Sequence, residues 1–591
     1  MDPRPVQIIK SRGGIQRDGT VYDSEHFVDG QWVRFYRGRA RKMGGFRSVV
    51  EDLQQIPRGM FVSSKNNIHN VYLGSSHGIR RISTDNTLTS SISYDVTPTT
   101  FVSDANYSWQ FGALFDATGG GEVSILAHGA KNVQDISSTE NLPVYSALAG
   151  SSSAFAPISD GASGQVEVSG GICVLQPYVV AYGNDGLLKV CNANNFNDWQ
   201  VSVGNEADEV NVAYTKIVQG LPIRGGGQAP AGLFWSLESL IKMSWNNSTV
   251  WNYDPLGFTT LMSSNATVEV NGLFFWMGVD RFYVYNGKID ELPNQMNINW
   301  VFDNLNFEQR QKVWATVVPR FGEIWWHFPF GSGQIECNRA VIFNYVEKTW
   351  YDCQIERSSG FPAQVLKFPL WSGNILENKH DRISAVTVSN SSPAIVTWEA
   401  HGLTAGTPCR FTTTGYLPNP IQPDTTYYVY STPTDDTFTL SENIDSSPIS
   451  TTFDGSGIHT ATALSVPSYS LYGHEYGSSK TTSQSESSIL SYVETSDLGV
   501  LSAGNDYNTR ISRVEPDFLQ TEDMTMTVIT KRFSKSSEQT EREFTFSPDT
   551  EKIDMKEQGR VIRLRFTSNS VGGFFEQGKV LIHTEPGDIR P

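Results

Sequence analysis

The stretch Arg281-Phe282-Tyr283-Val284-Tyr285-Asn286-Gly287 decides the fold. Aromatic and β-branched residues run straight into Asn-Gly, the pair that best accepts the positive φ angles of a tight hairpin turn. Comparable strand-forming runs stand at 324–328, 340–343 and 427–430. Helical periodicity is scarce. Ile298, Val301, Phe302 and Leu305 fall at i, i+3, i+4 and i+7 and predict one amphipathic helix. The expected class is all-β.

Working outward, turns preceded by apolar or aromatic residues recur near Asn86, Asn132, Asn192, Asn246, Asn286 and Asn344, with Trp199, Trp251 and Trp350 following three of them. Their spacing suits four-stranded propeller blades of roughly 40–50 residues. Six such units predict a β-propeller-like body of about six blades over 56–380, preceded by an N-terminal β segment, 1–55. Composition breaks at 381–465, which holds 17 Thr and no Lys. Short strand runs between Gly, Pro and Asp turns there predict a small β-module inserted at a loop tip. Strand-rich sequence resumes in 466–591, expected either to close the propeller or to form a separate platform. Two tracts rich in small and polar residues, 150–164 and 478–488, read as mobile loops.

The chain has 591 residues, 39% hydrophobic and 12% aromatic, enough to fill large cores and to exclude wholesale disorder. Only 18% are charged, and the net charge is −17. Residues 1–60 carry 11 Lys and Arg against 7 Asp and Glu, so the acidity belongs to the rest of the chain. Such a body does not condense on nucleic acid, because phosphate binding needs many cations. An acidic wall does allow DNA to slide past without sticking. Five cysteines without a close pair (Cys173, Cys191, Cys337, Cys353, Cys409) argue against a disulfide framework and against zinc. Met1-Asp2-Pro3-Arg4-Pro5 lacks an apolar h-region, and the apolar stretch 171–182 is broken by Gln176-Pro177. Neither a secretory leader nor a membrane span is expected, and synthesis is expected in a cytoplasm.

The search for catalytic chemistry is mostly negative. Gly119-Gly120-Gly121 and Gly225-Gly226-Gly227 lack the Lys-Ser/Thr of a phosphate cradle, and no serine sits in a nucleophile elbow. None of the ten histidines has the i, i+4 helical spacing that offers two imidazoles to a metal. Asp435-Asp436 lies in turn sequence. No cofactor is expected. Paired carboxylates for glycoside hydrolysis are a matter of three-dimensional separation and stay open at this level.

The one dense charge cluster is basic: Arg34, Arg37, Arg39, Arg41, Lys42 and Arg47, interleaved with Trp32, Phe35, Tyr36 and Phe46. With Asp29-Gly30 as a hairpin turn, 31–37 is predicted to be a strand with alternating faces. Three readings compete: a strand edge blunted by charge, a docking surface for an acidic partner, and a contact to nucleic-acid phosphate.

The run Gly13-Gly14-Ile15-Gln16-Arg17-Asp18-Gly19-Thr20, with Asp29-Gly30-Gln31-Trp32-Val33-Arg34-Phe35-Tyr36-Arg37-Gly38-Arg39-Ala40-Arg41-Lys42-Met43-Gly44-Gly45-Phe46, resembles the opening of the tail nozzle proteins of short-tailed bacteriophages (also called tail hub or packaged-DNA stabilisation proteins). The end of the chain, 560–566, Gly572-Gly573-Phe574-Phe575 and Gly587-Asp588-Ile589-Arg590-Pro591, is similar to the closing strands of that family. Residues 381–465, with Trp398, His401-Gly402-Leu403-Thr404 and Tyr427-Tyr428-Val429, resemble a small β-module of phage tail and fibre proteins.

The resemblance implies a structural virion protein of the tail, not an enzyme. It implies a propeller body, six copies in a ring below the portal and adaptor, and a conduit through which double-stranded DNA passes without sequence-specific contact. On this view the basic ribbon docks to the adaptor or portal. The module would be an appendage for fibres or the host surface, with Trp398, Tyr427 and Tyr428 as its candidate contact face. The rival reading is a receptor-binding or polysaccharide-degrading tailspike, disfavoured because no repeat of roughly 20–25 residues marks a β-helix. A carbohydrate-binding propeller of cellular origin is a second rival, disfavoured by the phage-like ends.

Overall fold

A computed structural model describes residues 6–589 except 9–10, 21–23, 52, 54, 66, 90, 105, 117–121, 134, 225–229, 247–250, 364, 375–381, 404, 424, 444–445, 464–468, 483–484, 499–506 and 534. Both Gly-rich triplets and Arg590-Pro591 lie outside these described residues. Among the described residues the fold is almost wholly β, with one short α-helix, Ile298–Asn304, where the apolar spacing predicts it.

Six consecutive antiparallel sheets lie within 59–354, five of four strands and the second of five, their first strands being Gly59–Lys65, Ser108–Asp116, Gly171–Leu175, Ile217–Pro222, Thr267–Val270 and Trp314–Val318. The ring needs one blade more than the sequence count. The seventh is composite: Ser359–Phe361, Leu370–Asn374, Tyr469–His474 and, from the far end of the chain, Phe46–Val50. Its first strand packs beside Gly59–Lys65 and closes the circle. No run of consecutive residues encodes this blade, so no local repeat reveals it. The Asn turns have a structural meaning all the same. Asn86, Asn192, Asn246, Asn286 and Asn344 each stand between the third and fourth strands of a blade, whereas Asn132 follows a second strand. At Asn344 the carboxamide oxygen accepts from the Val346 and Glu347 backbone N–H groups and builds the turn itself.

Residues 469–474 thus complete the propeller, while the strands Ser491–Glu494 and those from Tyr507 to Ile589 join N-terminal strands in a platform of three further sheets. The two ends interleave. Val6–Ile8 pairs with Leu581–Ile589, Asp29–Gln31 with Ser491–Glu494, and Arg41 lies opposite Glu576. One hydrophobic core runs from the platform (Val33, Phe35, Met526, Phe566) into blade 6 (Trp325, Tyr351) and blade 7 (Trp371). The tract 478–488 includes two short paired strands, Lys480–Thr481 and Glu486–Ser487, that extend the blade 7 sheet.

Asp29-Gly30 is not the hairpin turn. Both residues lie in a strand, Trp32 breaks the run at φ 53°, and the tight turn is Arg37-Gly38, where both φ angles are positive. It joins Val33–Tyr36 to Arg39–Lys42.

Asn374–Ser468 forms a second compact unit. It is a closed six-stranded barrel with its own core around Val396, Phe411, Phe438 and Leu440. Two of its three candidate surface residues belong to that core: Trp398 is 5% exposed and Tyr427 4%. The period of two along Thr426–Thr434 turns Tyr427 and Val429 inward and leaves Tyr428 half-buried. The exposed aromatics of this unit are Tyr416, Tyr430 and Phe453.

Candidate functional site

Two places merit a functional reading: the N-terminal ribbon and the axis of the propeller. In the ribbon, local sequence places Arg17 and Asp18 just after the strand Arg12–Ile15, and the fold uses both as a clasp. Asp18 caps the helix Ile298–Asn304, accepting from the Asn299 and Trp300 N–H groups at 2.9 and 2.8 Å. Arg17 pairs with Asp352 of blade 6 at 2.9 Å and with Asp29 at 2.6 Å. Gly14, at φ 109°, passes so close to the segment before that helix that a Cβ would lie 2.6 Å from Met296 Sδ, and 3.1 Å from the Trp350 carbonyl of blade 6.

The basic cluster does not form one surface. Arg34 is 1% exposed and lies between two carboxylates, with Nε 2.8 Å from Glu323 Oε1 and Nη1 2.8 Å from Glu475 Oε2. Phe321 lies 3.7 Å below the guanidinium. Burial opposes the charge of Arg34, but Glu323 and Glu475 outweigh it and raise its pKa. Burial pushes Glu323 upward against the pull of Arg34, while Tyr351 and Trp325 donate to its two oxygens at 2.7 and 3.0 Å. Lys42 is also buried, facing Val33 across the hairpin. Arg47 donates to the Thr87 and Leu88 carbonyls, and Arg39 and Arg41 share Glu576. Only Arg37 and Arg39 are exposed. As a six-residue docking or phosphate surface the ribbon is therefore corrected: Arg34 and Lys42 are interior, and Arg41 and Arg47 are half-buried with partners. Local sequence gave no signal of this, because Glu323 and Glu475 lie far along the chain.

Along the axis, the first strands of all seven blades enclose a cavity of about 840 Å³. Phe61, Phe111, Val174, Gln219, Thr267, Trp314 and Gly360 represent one blade each. Among the described lining residues Arg224 is the single charged side chain, and no Asp, Glu or His is present. The Gln110 amide is engaged by Gln219, Tyr182 and the backbone of Val218 and Ile172. Hydrolysis of a glycosidic bond needs two facing carboxyl groups, and this lining offers none among the described residues. No cluster of three or more His, Cys, Asp or Glu among them is placed to hold a metal. All five cysteines are free and buried. No helix among the described residues is long and apolar enough to cross a membrane.

No family model and no curated protein matches the sequence. Solved structures with similar strand arrangements include an exo-β-1,3-galactanase from Phanerochaete chrysosporium with galactose, at 9% identity and TM-score 0.27, covering 92% of this chain and 100% of that one. A puromycin-hydrolysing peptidase of Mycobacterium tuberculosis aligns at 9% identity and TM-score 0.31 over 59% of this chain and 52% of that one. A chain of a nidogen/laminin complex aligns at 10% identity and TM-score 0.26 over 48% and 98%. At such TM-scores these likenesses extend no chemistry to this chain, and its propeller is read from its own strand pairing.

Proposed function

We propose that this chain is a structural virion protein, one subunit of the nozzle ring through which a short-tailed phage retains and then releases its DNA. One observation supports this reading above the others. Strands from both stretches that resemble the nozzle family share the platform sheets: Asp29–Gln31, Val33–Tyr36 and Arg39–Lys42 near the start, Val561–Ser568 and Phe575–Gln577 near the end. Arg17 and Arg34 tie the N-terminal end of the chain to blade 6, Arg34 also to Glu475, and Asp18 ties it to the helix Ile298–Asn304. The resemblance thus falls on residues that hold the architecture together. The net charge of −17 agrees with a conduit wall that repels phosphate and avoids salt bridges that each sliding step would have to break. The axial lining, with no carboxylate pair among its described residues, disfavours the polysaccharide-cleaving alternative there.

On this reading Arg37 and Arg39, at the exposed Arg37-Gly38 turn, carry what remains of the docking surface for the adaptor or portal. Projection images of the purified protein, or of assembled tails, test the proposal. Six-fold rings with a central opening are expected; a lone subunit, or a three-fold spike that cuts a polysaccharide, overturns it.

A further inference from the structure

Polar atoms without partners gather at one seam of the ring, between blade 6 and the composite blade 7. His327 is fully buried, lies parallel to Trp314 at 4.1 Å and meets Trp371 edge-on at 5.4 Å. Trp371 packs on His474 at 3.9 Å, and His474 Nε2 accepts from Arg357 Nε at 2.9 Å. Arg357 is 5% exposed. Its Nη1 donates to the Glu356 carbonyl at 2.7 Å, and its guanidinium lies over Phe46 and Tyr472. No carboxylate among the described residues forms an ion pair with it; Glu356, half-buried, acts on it only at longer range. Arg357 Nη2, both ring nitrogens of His327 and Trp371 Nε1 are buried without a hydrogen-bond partner.

A buried charge with neither counter-ion nor full hydrogen bonding is among the costliest features a fold can hold. Burial pushes Arg357 down only to about 10, so it remains a cation at neutral pH. Burial and the Arg357 charge together push His327 and His474 well down, and both stay neutral. The unpaired groups are then a guanidinium N–H, an indole N–H and one imidazole N–H, three donors beside one positive charge. That set complements an anion.

We propose that the seam between blades 6 and 7 holds one buried monovalent anion, bound by Arg357 Nη2, Trp371 Nε1 and the imidazole N–H of His327. The anion neutralises Arg357 and ties the discontinuous blade to its neighbour. This inference is independent of the nozzle reading.

The test uses the full chain. Crystals grown in sodium bromide are expected to show an anomalous peak within hydrogen-bond reach of Arg357 Nη2. Thermal unfolding in sodium chloride against sodium gluconate, at equal ionic strength, is expected to show a saturable rise in Tm of about 2 °C. Trp371→Phe, which keeps the ring and removes the donor, is expected to shift that saturation to higher chloride, and Arg357→Met to abolish it. Should Arg357→Met fail to fold, the bromide map of the unaltered chain decides. A water or empty density at the seam overturns the proposal, as does a chloride response unchanged in Trp371→Phe.

Discussion

Replacing Lys42 by Met removes a buried charge while keeping the length of the side chain. Lys42 ends the strand Arg39–Lys42, is 1% exposed, and its Nζ has no hydrogen-bond partner. Burial pushes its pKa from 10.5 down to about 8. Each pKa unit is worth about 1.4 kcal/mol, so carrying the charged form at pH 7 costs the fold about 3 kcal/mol. Between pH 8 and 10.5 the folded chain binds fewer protons than the unfolded chain, so stability rises with pH across that window. The unaltered protein should gain about 2.5 kcal/mol from this group between pH 7 and pH 10. Lys42→Met should begin about 3 kcal/mol more stable at pH 7 and lack that gain. Denaturant unfolding followed by tryptophan fluorescence, at both pH values, reads the difference, because every other titrating group is common to the two chains. Parallel pH profiles for the two proteins would refute the reasoning.

Arg34→Met leaves Glu323 and Glu475 facing each other in a dry site and should cost about 3–5 kcal/mol in denaturant unfolding, with a smaller loss at lower pH, because burial already pushes Glu323 upward and favours its neutral form. Glu336, between Arg58 and Lys312, is held below its ordinary 4.5 because the two cations outweigh burial. Its contribution is present above pH 4.5 and is lost as pH falls through the folded value, so Glu336→Gln should flatten that part of the acid-unfolding curve. Exchanging 374–468 for a four-residue turn between the neighbouring strands Leu370–Asn374 and Tyr469–His474 should leave the melting of the propeller and platform unchanged, which calorimetry would show. Arg37→Glu with Arg39→Gln should leave the fold intact and reduce assembly of tails onto heads, counted by electron microscopy. Arg41 is left in place there because it shares Glu576 with Arg39.

Features encoded by neighbours in the chain were legible without coordinates. The Asn286-Gly287 hairpin, the helix Ile298–Asn304 and the alternation of the blade strands follow from φ preferences and from periods of 3.6 and two, which operate over a few residues. The Asn turns exposed the blade rhythm because an Asn carboxamide builds its own turn. Pairings across hundreds of residues left no such trace. Phe46–Val50 enters blade 7 by antiparallel pairing with Tyr469–His474, and a strand sequence does not state its partner. Charge was the least legible feature. Arg34 and Arg37 look alike in sequence, yet only packing put Glu323 and Glu475 beside the first and solvent beside the second. Residue type and spacing determined which elements form, since those preferences are local. The seventh blade, the interleaved ends and the burial of half the basic ribbon were decided by tertiary structure, because burial is a property of what folds back over a residue.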